Sequence, residues 1–587
     1  MLPMLQPYRR TRETVTDIRG LNLTGACANG EFAWTENIDT EMAPAARRRS
    51  KRYHVTKLVK PNGIAATDKL LLVDGTTLYY GGQAVAEVED SYKRMVGIGS
   101  SVAVFPDKIL FDTVSGAVRT MEQRNTVTGA VITLAQADGT PYTGYTKSAT
   151  APANPKNGDL WLDTSAVPLV MKTWAESTTM WVEEYTTYVS VESTGIGTGL
   201  KAEDAVTVTG LGLLDGTWQL SHAEANRIVF TGIIAEETTI EGEVSAARQC
   251  PDMAFVIEHN NRLWGCSTDG HEIYACALGD PTNWYKYAGI STDAYAVTVG
   301  SPGLFTGAAV INSSVCFFKI DSITKIYGTM PSNYSMTVDN LRGIEQGSGD
   351  SIVRINELLY YKSPFDVCRY DSSAVYGASS VFGTWHLSKG VAGALDRKMY
   401  MSAEDDQGNH HLMVYDTVTG YWLREDDSHA LGFATLGKVL YMLDAEGNVW
   451  ALPSESYGEP EKALTVGDGP LAAASEGLED DKDVPWLMRT GEILTTTPDN
   501  KRVGRIQLLL ELDRGSKALI RLKKDNEDWQ EVADIRCEGK RRYTLPIWPK
   551  RCDRFQVELS GTGTCILHHM SWLVEAASEY GREGRRS

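Results

Sequence analysis

The chain has 587 residues, too many for a single hydrophobic core, so we expect several domains. Hydrophobic residues make up 42% and charged residues 23%, values that exclude an intrinsically disordered chain, and no stretch approaches the ~18 consecutive apolar residues of a membrane-spanning helix. The net charge of −19 has the wrong sign for a protein that grips nucleic acid by neutralising phosphates.

The composition favours an all-β fold. The 54 glycines, 26 tyrosines and 14 tryptophans suit short strands joined by tight turns better than long helices. The nine cysteines form no CxxC pair and are odd in number, so we expect reduced, mostly buried thiols. The first twelve residues contain no apolar run of signal-peptide length, and we expect neither secretion nor a membrane-spanning segment.

Residues 1–60 are predicted to form an N-terminal arm and the first strands. They are basic, with eleven Lys and Arg against six acids, and the sharpest cluster follows the turn-like Met42-Ala-Pro44. We interpret this cluster as an exposed arm that docks onto an acidic partner or DNA, or is simply solvated. The candidate docking residues are Arg47, Arg48, Arg49, Lys51 and Arg52.

A strand, turn, strand pattern recurs along residues 61–123 and again along 251–453. Its seven instances are residues 69–82, 102–116, 261–278, 314–328, 357–371, 398–422 and 438–452. From 314 onward they start about 40 residues apart, the length of one four-stranded propeller blade. Two of them share a nearly identical phrase, Phe111-Asp-Thr-Val-Ser-Gly116 and Tyr415-Asp-Thr-Val-Thr-Gly420, which predicts an Asp-led turn after a strand.

These repeats predict a β-propeller of six or seven blades, with its first part at 61–123 and its second part at 251–453. One twisted sheet cannot bury both of its faces, whereas sheets packed radially cover one another. The same alternation is also compatible with separate sandwiches or a long meander.

Residues 124–250 interrupt the repeats and are predicted to form an inserted β module on an exposed loop. The first part, around GDLWLDTS, is punctuated by Pro and Gly, and the second part, about 186–247, alternates as a small β-barrel or sandwich does. The aromatic candidates for stacking on a sugar or on a neighbouring chain are Trp161, Trp174 and Trp181. The alternative is that these tryptophans fill the core of the module.

Residues 454–483 contain nine acids and two lysines without periodicity, and they are predicted to be a solvated acidic linker. Beyond it, residues 484–587 contain nineteen Lys and Arg against fifteen acids. Five strands are predicted there, at 502–512, 518–524, 541–547, 554–561 and 565–575. This pattern favours a C-terminal β-sandwich.

No pattern in the chain indicates catalysis, and we predict a non-enzymatic protein without cofactor or metal. A propeller glycosidase would need paired carboxylates. The candidate aspartates lie in or beside predicted turns, where Asp caps the backbone: Asp269, Asp280, Asp366, Asp405, Asp406 and Asp416. The His410-His411 and His568-His569 pairs place neighbours on opposite faces of a strand, so neither pair alone chelates a metal well.

Two stretches resemble the family of bacteriophage tail nozzle, or packaged-DNA stabilisation, proteins. The first runs from Asn37-Ile-Asp39 to the basic run ending at Arg52, and the second is NNRLWGCSTDGHEIYACALGDPTNWYKY, residues 260–287. In this family an NRLW strand, a polar turn and a GDPTNW turn belong to one propeller blade. The C-terminal strands and the inserted GDLWLDT and DAVTVTG stretches are also similar to parts of phage tail proteins.

The resemblance implies a structural protein of the virion tail, assembled in the bacterial host cytoplasm. It implies a ring of six copies below the portal and adaptor proteins, in contact with other tail proteins, which retains packaged double-stranded DNA and opens a channel for its ejection. Because both chain ends are basic, the net charge of residues 61–483 is −28. If these acids line the channel of the ring, they would repel phosphates and let DNA slide through it.

Two other functions stay open at this point. A receptor- or glycan-binding tail protein would use the inserted module as its contact surface. A propeller glycoside hydrolase would turn over a polysaccharide.

Overall fold

The computed structural model describes residues 10–453, 471, 477–494, 501–548 and 550–576, which form an all-β protein. Among these residues, helix is limited to four short 3-10 segments, at Gly212–Leu214, Pro331–Asn333, Gly349–Ser351 and Ser380–Phe382. None of the helices in this described part is long and apolar enough to cross a membrane. The nine cysteines are unpaired, and seven of them are buried.

The chain begins with five short strands that join sheets formed mainly by the C-terminal part of the chain. These strands are β1 (Arg10–Val15), β2 (Phe32–Glu36), β3 (Ile38–Asp39), β4 (Ala46–Arg48) and β5 (Tyr53–Lys57).

Two four-stranded antiparallel sheets follow, each a meander of consecutive strands. Sheet 1 contains β6 (Pro61–Ala66), β7 (Leu70–Asp74), β8 (Thr77–Tyr80) and β9 (Gln83–Glu87). Sheet 2 contains β10 (Arg94–Ile98), β11 (Ser101–Phe105), β12 (Ile109–Asp112) and β13 (Val118–Thr120).

A small barrel and a four-stranded sheet are inserted after sheet 2. The strands of the insertion are β14 (Gln123–Ala135), β15 (Tyr145–Ser148), β16 (Leu160–Asp163), β17 (Val170–Ala175), β18 (Met180–Glu183), β19 (Tyr188–Glu192), β20 (Ala205–Thr209), β21 (Gly216–Glu224), β22 (Arg227–Thr231) and β23 (Thr238–Arg248). The closed barrel has the order β14, β19, β22, β21, β20, β23, and β15 to β18 form the separate sheet.

Sheets 3 to 5 continue the series. Sheet 3 contains β24 (Met253–His259), β25 (Arg262–Ser267), β26 (Glu272–Ala275) and β27 (Tyr295–Thr298). Sheet 4 contains β28 (Gly307–Ile311), β29 (Ser314–Phe318), β30 (Ile323–Tyr327) and β31 (Ser335–Asp339). Sheet 5 contains β32 (Val353–Ile355), β33 (Leu358–Lys362), β34 (Val367–Tyr370) and β35 (Val375–Gly377).

Sheets 6 and 7 complete the series, and sheet 7 combines both ends of it. Sheet 6 contains β36 (Leu387–Leu395), β37 (Lys398–Asp405), β38 (His410–Asp416) and β39 (Tyr421–Arg424). Sheet 7 contains β40 (Ala430–Leu436), β41 (Val439–Asp444), β42 (Asn448–Pro453) and β43 (Gly477–Leu478). The N-terminal strand β5 lies between β42 and β43.

The seven sheets form a circle, because the first strands of neighbouring sheets contact one another all the way round, with the 3-10 turn before β32 contributing at sheet 5. Sheet 7 contacts sheet 1 through β40 and β6, and β5 ties the start of the series to its end. This arrangement of four-stranded antiparallel sheets is consistent with a β-propeller.

The shared Asp-led phrase forms the same turn in two sheets, as the sequence predicts. The carboxylate of Asp112 accepts hydrogen bonds from the backbone N–H groups of Val114 and Ser115, between the third and fourth strands of sheet 2. Asp416 accepts in the same way from Val418 and Thr419 in sheet 6.

The C-terminal body consists of two sheets packed on one core. Its remaining strands are β44 (Trp486–Thr490), β45 (Lys501–Leu512), β46 (Lys517–Lys524), β47 (Gln530–Ile535), β48 (Gly539–Pro546), β49 (Arg551–Cys552), β50 (Phe555–Thr562) and β51 (Cys565–Ala576). The seven-stranded sheet contains β1, β3, β4, β45, β48, β49 and β51, and the five-stranded sheet contains β2, β44, β46, β47 and β50. Buried side chains from both sheets, such as Leu508 and Ile520, share one cluster.

Four strands from the N-terminal 48 residues therefore belong to this two-sheet body. The prediction that residues 1–60 begin with an arm is wrong for the described residues from Arg10 onward. Most of the predicted acidic linker, 454–470 and 472–476, lies outside the described residues. The end of that linker is exposed in part but is not a free linker, because Gly477–Leu478 pairs with β5 and the side chain of Glu479 is only 11% exposed.

Candidate interaction sites

The basic run after Pro44 lies at the junction between the two-sheet body and sheets 6 and 7. Arg48 ends β4, and Arg49 to Arg52 lead into β5, so the run crosses from one body to the other. Arg48, Arg49 and Arg52 are all buried. The prediction of an exposed arm is wrong because these guanidinium groups are enclosed by carboxylates from distant parts of the chain.

The centre of this junction is a network of two arginines and three acids. Arg49 donates from Nη1 and Nη2 to the two carboxylate oxygens of Glu479, at 2.8 and 3.1 Å. Arg52 donates from Nη2 to Glu425 at 2.6 Å, and its Nη1 lies 2.8 Å from the carboxylate of Asp426. A buried arginine needs such partners, because its fork of donors must be satisfied without water.

The acids of this network have perturbed pKa values. Burial raises the pKa of Asp426, but the charges of Arg52 and Arg49 lower it more, to about 2. Burial and Arg49 oppose each other in the same way at Glu479, with a net lowering of its pKa. Both side chains are therefore charged at neutral pH and stabilise the two arginines.

The other three candidate docking residues lie around this network. Arg48 and Lys51 both contact Asp481, at 2.9 and 3.0 Å, and Arg47 lies between Asp39 and Glu41. Lys51 and Arg47 are partly exposed. The structure thus brings all five residues together, but at an internal joint and not on a free arm.

The stretch 260–287, which carries the family resemblance, forms the middle hairpin of sheet 3 and the loop after it. Asp280 caps this loop through the backbone N–H and the hydroxyl of Thr282. Trp284 is fully buried, and its Nε1 donates to the Pro281 carbonyl at 2.8 Å.

The same loop anchors the inserted barrel. Asn283 accepts a hydrogen bond from the backbone N–H of Ala205 at 3.0 Å and donates to Asp204 at 3.3 Å. Asp204 is fully buried and also binds Nη1 of Arg248 at 2.7 Å. Lys286 adds an ion pair with Glu203 at 2.6 Å. These contacts, which no sequence motif indicated, fix the barrel on sheet 3.

The axis of the seven-sheet circle is closed by side chains. Arg94, on the first strand of sheet 2, donates to both oxygens of Asp350 at the start of sheet 5, at 2.5 and 3.1 Å. The Arg94 guanidinium also lies 4.5 Å from the centre of the Phe255 ring. The remaining space around the axis is lined mainly by apolar side chains, among them Ile64, Met95, Ile257, Ala308, Val391 and Phe433. Because this ion pair spans the axis, it leaves no room there for a DNA duplex.

The three candidate tryptophans share one face of the sheet β15 to β18. The strand register places Trp174 opposite Trp181, and Trp161 opposite Lys172 on the same face. The Trp181 ring lies 5.4 Å from both other indole rings, in edge-on contacts. Trp161 is buried, with Nε1 bonded to the Ser148 carbonyl, whereas Trp174 and Trp181 are half-exposed.

The opposite face of this sheet forms its core. Leu162 and Met171 are fully buried there and pack with Leu134 of the barrel. The tryptophans therefore do not fill the core between sheet and barrel. They make an aromatic face on the outside of the insertion, beside the Lys172–Asp163 ion pair.

The acids considered for glycosidase chemistry have partners within the fold. Asp269, Asp280, Asp405 and Asp416 accept hydrogen bonds from backbone N–H groups of their own turns. Asp366 pairs with Arg342 at 2.7 Å, and Asp406 lies 3.2 Å from His386. In the described ranges, no group of three His, Cys, Asp or Glu side chains is placed to hold a metal ion.

The histidine pairs also have separate partners. His411 lies 3.0 Å from Asp405 and accepts a hydrogen bond from Arg424, whereas His410 stacks on His429 with ring centres 3.5 Å apart. His568 contacts Glu511 at 2.9 Å.

No protein-family model and no curated protein matches this chain. Among solved structures, a computationally designed protein, Ika8, matches with a TM-score of 0.33 and 10% identity over 68% of this chain and 100% of its own. BamB from Moraxella catarrhalis matches with a TM-score of 0.33 and 12% identity over 70% of this chain and 98% of its own. Hsv2 from Kluyveromyces lactis matches with a TM-score of 0.25 and 11% identity over 49% of this chain and 88% of its own.

Proposed function

We propose that this chain is a non-enzymatic structural protein of a bacteriophage tail, with seven sheets that form a seven-bladed β-propeller and a C-terminal β-sandwich completed by N-terminal strands. Six copies form a ring below the portal and adaptor proteins. The ring is a tail nozzle or connector that retains packaged DNA and provides the channel for its ejection. It is assembled in the bacterial host cytoplasm and contacts other tail proteins.

The observation that carries this proposal is the role of residues 260–287 in the fold. The side chains that give this stretch its resemblance to tail nozzle proteins are structural: Trp284 of the loop is buried between sheets 2 and 3, and Asp280 and Asn283 hold the loop and the barrel. Because this stretch joins two modules of the fold, its role supports a structural subunit.

The closed axis supports a ring of several copies. Because Arg94 and Asp350 meet across the circle, one propeller offers no passage for a duplex. DNA would run through a channel between copies, and the acidic surface of each copy would keep phosphates from binding at many points.

Imaging intact virions with a Fab fragment bound to this chain tests the proposal. We expect the Fab on the tail axis, in a ring directly below the portal. Fab density confined to fibres at the tail periphery would contradict the nozzle assignment.

The outward face of Trp161, Trp174 and Trp181 favours a second candidate, a receptor- or glycan-binding tail protein. Aromatic rings beside a charged pair stack on sugar rings while polar groups bond hydroxyls. Binding of the full chain to host cells, compared with a Trp174→Ala/Trp181→Ala variant, tests it. Equal binding by both proteins would remove this candidate.

A further inference from the structure

The outer surface of the seven-stranded sheet is a basic face on an acidic protein. Side chains alternate along β45, so Ile506, Leu508 and Leu510 enter the core while Arg505, Gln507 and Leu509 face outward. On the neighbouring strands, the register places Arg12, Lys540 and Arg542 on the same outer side.

The charges of this basic face are available to a partner. Arg12, Arg505 and Arg542 are exposed and make no ion pair with any residue that the structure describes. Arg12 and Arg505 flank the half-buried Leu573 in one row across the sheet, and Arg542 lies beside Leu509. Protein interfaces are enriched in arginine and have an apolar centre, and this face has both features.

Exposed acids on and before β23 of the inserted barrel carry the opposite charge. Four exposed glutamates lie within eight residues on and before β23: Glu236, Glu237, Glu241 and Glu243. In the described part of the chain only Glu236 has an ion pair, a loose one of 3.6 Å with the exposed Lys147. The ribbon of β14 and β23 enters at Gln123, paired with Arg248, and reaches Ile132, paired with Thr238, about 30 Å further on. These four glutamates, here called the acidic tip, therefore lie along the half of the ribbon that is farther from the chain entry.

The basic face and the acidic tip belong to modules on opposite sides of the circle. The barrel joins the circle between sheets 2 and 3, where the chain leaves and returns. The two-sheet body contacts sheet 6, where Arg424 donates to Thr35 and Lys398 binds Asp39. In one direction sheets 3, 4 and 5 lie between these points, and in the other direction sheets 2, 1 and 7.

From this placement we propose that the basic face of one copy docks on the acidic tip of the next copy. A contact between two different surfaces of identical chains is heterologous, and such contacts close into rings when the rotation between copies allows it. This inference rests on the proposed ring and names the interface that builds it. It assigns Arg12, Arg505, Lys540 and Arg542 to one side and Glu237, Glu241 and Glu243 to the other.

A second copy fits the basic face better than DNA does. The complementary charge is present in the same chain, whose net charge of −19 repels a polyanion as a whole. The face also contains half-buried leucines, which a phosphate backbone would leave uncovered but a protein surface covers. Binding of DNA at this face is the other outcome of the test.

Charge reversal on each side tests the interface in the full chain. The face variant carries Arg12→Glu, Arg505→Glu and Arg542→Glu, and the tip variant carries Glu237→Lys, Glu241→Lys and Glu243→Lys. Each variant alone brings like charges together, so we expect a loss of at least about a hundredfold in assembly affinity, seen as monomers by mass photometry. Mixed in equal amounts, each face meets an oppositely charged tip, and ring assembly should return.

A matched control reverses two exposed basic residues elsewhere, Arg354→Glu and Lys517→Glu, and should assemble as the wild type does. Rings that persist in both reversal variants would overturn this interface and leave the proposed ring intact. A face variant that assembles normally but loses binding to a DNA duplex would assign the face to DNA. A wild-type chain that stays monomeric at every concentration would overturn the ring and this interface together.

Discussion

Arg49 and Glu479, 430 positions apart in the chain, form a two-pronged buried ion pair, with guanidinium nitrogens 2.8 and 3.1 Å from the carboxylate oxygens. Arg49 follows the N-terminal strands, and Glu479 follows the strand that pairs with β5 in sheet 7. The pair therefore ties the two-sheet body to the circle at the place where the two ends of the seven-sheet series meet.

Removing an arginine from this network should destabilise the whole protein. Arg52→Ala leaves the buried Glu425 and the partly exposed Asp426 without their main cation, which typically costs about 3–5 kcal/mol in the free energy of unfolding. Urea denaturation followed by tryptophan fluorescence measures this loss. Lys51→Ala is the matched control, because Lys51 pairs with the half-exposed Asp481 and should cost about 1 kcal/mol or less. Equal losses in the two variants would contradict the buried network.

The same network predicts a loss of stability in acid. The folded pKa of Asp426, about 2, lies below its ordinary value of 3.8, so the carboxylate stabilises the fold fully above about pH 4. That contribution is lost as the pH falls from about 4 towards 2, because protonation releases Arg52 and Arg49. The Asp426→Asn variant should have a lower free energy of unfolding at pH 6, and this free energy should fall less steeply between pH 4 and pH 2 when measured by urea denaturation. An unchanged decline in this variant would show that other groups cause it.

The contacts of Asp204 with Asn283 and Arg248, which fix the barrel on sheet 3, predict a local effect of substitution. Asp204→Ala leaves Arg248 buried with only carbonyl partners, those of Thr120 and Met121, and should cost about 3–5 kcal/mol. Amide hydrogen exchange should then rise in residues 201–205 and 276–284. Lys201→Ala removes the ion pair that this exposed lysine makes with Asp280 at 2.9 Å, which should cost about 1 kcal/mol or less and change the exchange in both segments far less than Asp204→Ala does. Exchange that stays protected in Asp204→Ala would mean that other contacts hold the barrel.

The sequence predicted the seven hairpins because these are the strands that the fold buries most completely. Each instance of the repeat is the second and third strand of one sheet, such as β7 with β8, or β41 with β42. These middle strands pack against neighbouring sheets on both faces and keep a strong apolar pattern. The first strands face the axis with a mixture of large and small residues, from Phe433 to Gly432, where a Cβ would lie 2.8 Å from Ile64, and their pattern is weak.

The N-terminal contribution to the two-sheet body could not be predicted in this way. The five predicted C-terminal strands exist within a residue or two of their expected bounds, but β1 to β4, which complete the same two sheets, lie more than 400 residues earlier in the chain. Local alternation carries no information about such pairing. For the same reason the run from Arg47 to Arg52 looks exposed in the sequence, because Glu425, Asp426 and Glu479 are distant.

The assembled protein should bind duplex DNA weakly. Its net charge is −19, and in the proposed ring the acidic tip of a neighbour would cover each basic face. Fluorescence anisotropy with a labelled duplex at physiological salt should show little binding. Tight binding that weakens steeply with added salt would contradict an acidic channel through which DNA slides.

Cryo-electron microscopy of the purified protein, at a resolution that shows symmetry, tests the central claim most directly. We expect a closed ring of six copies with an axial channel wide enough for a duplex, lined by surfaces of several copies. Monomers, or an open filament without such a channel, would contradict the assignment to a tail nozzle.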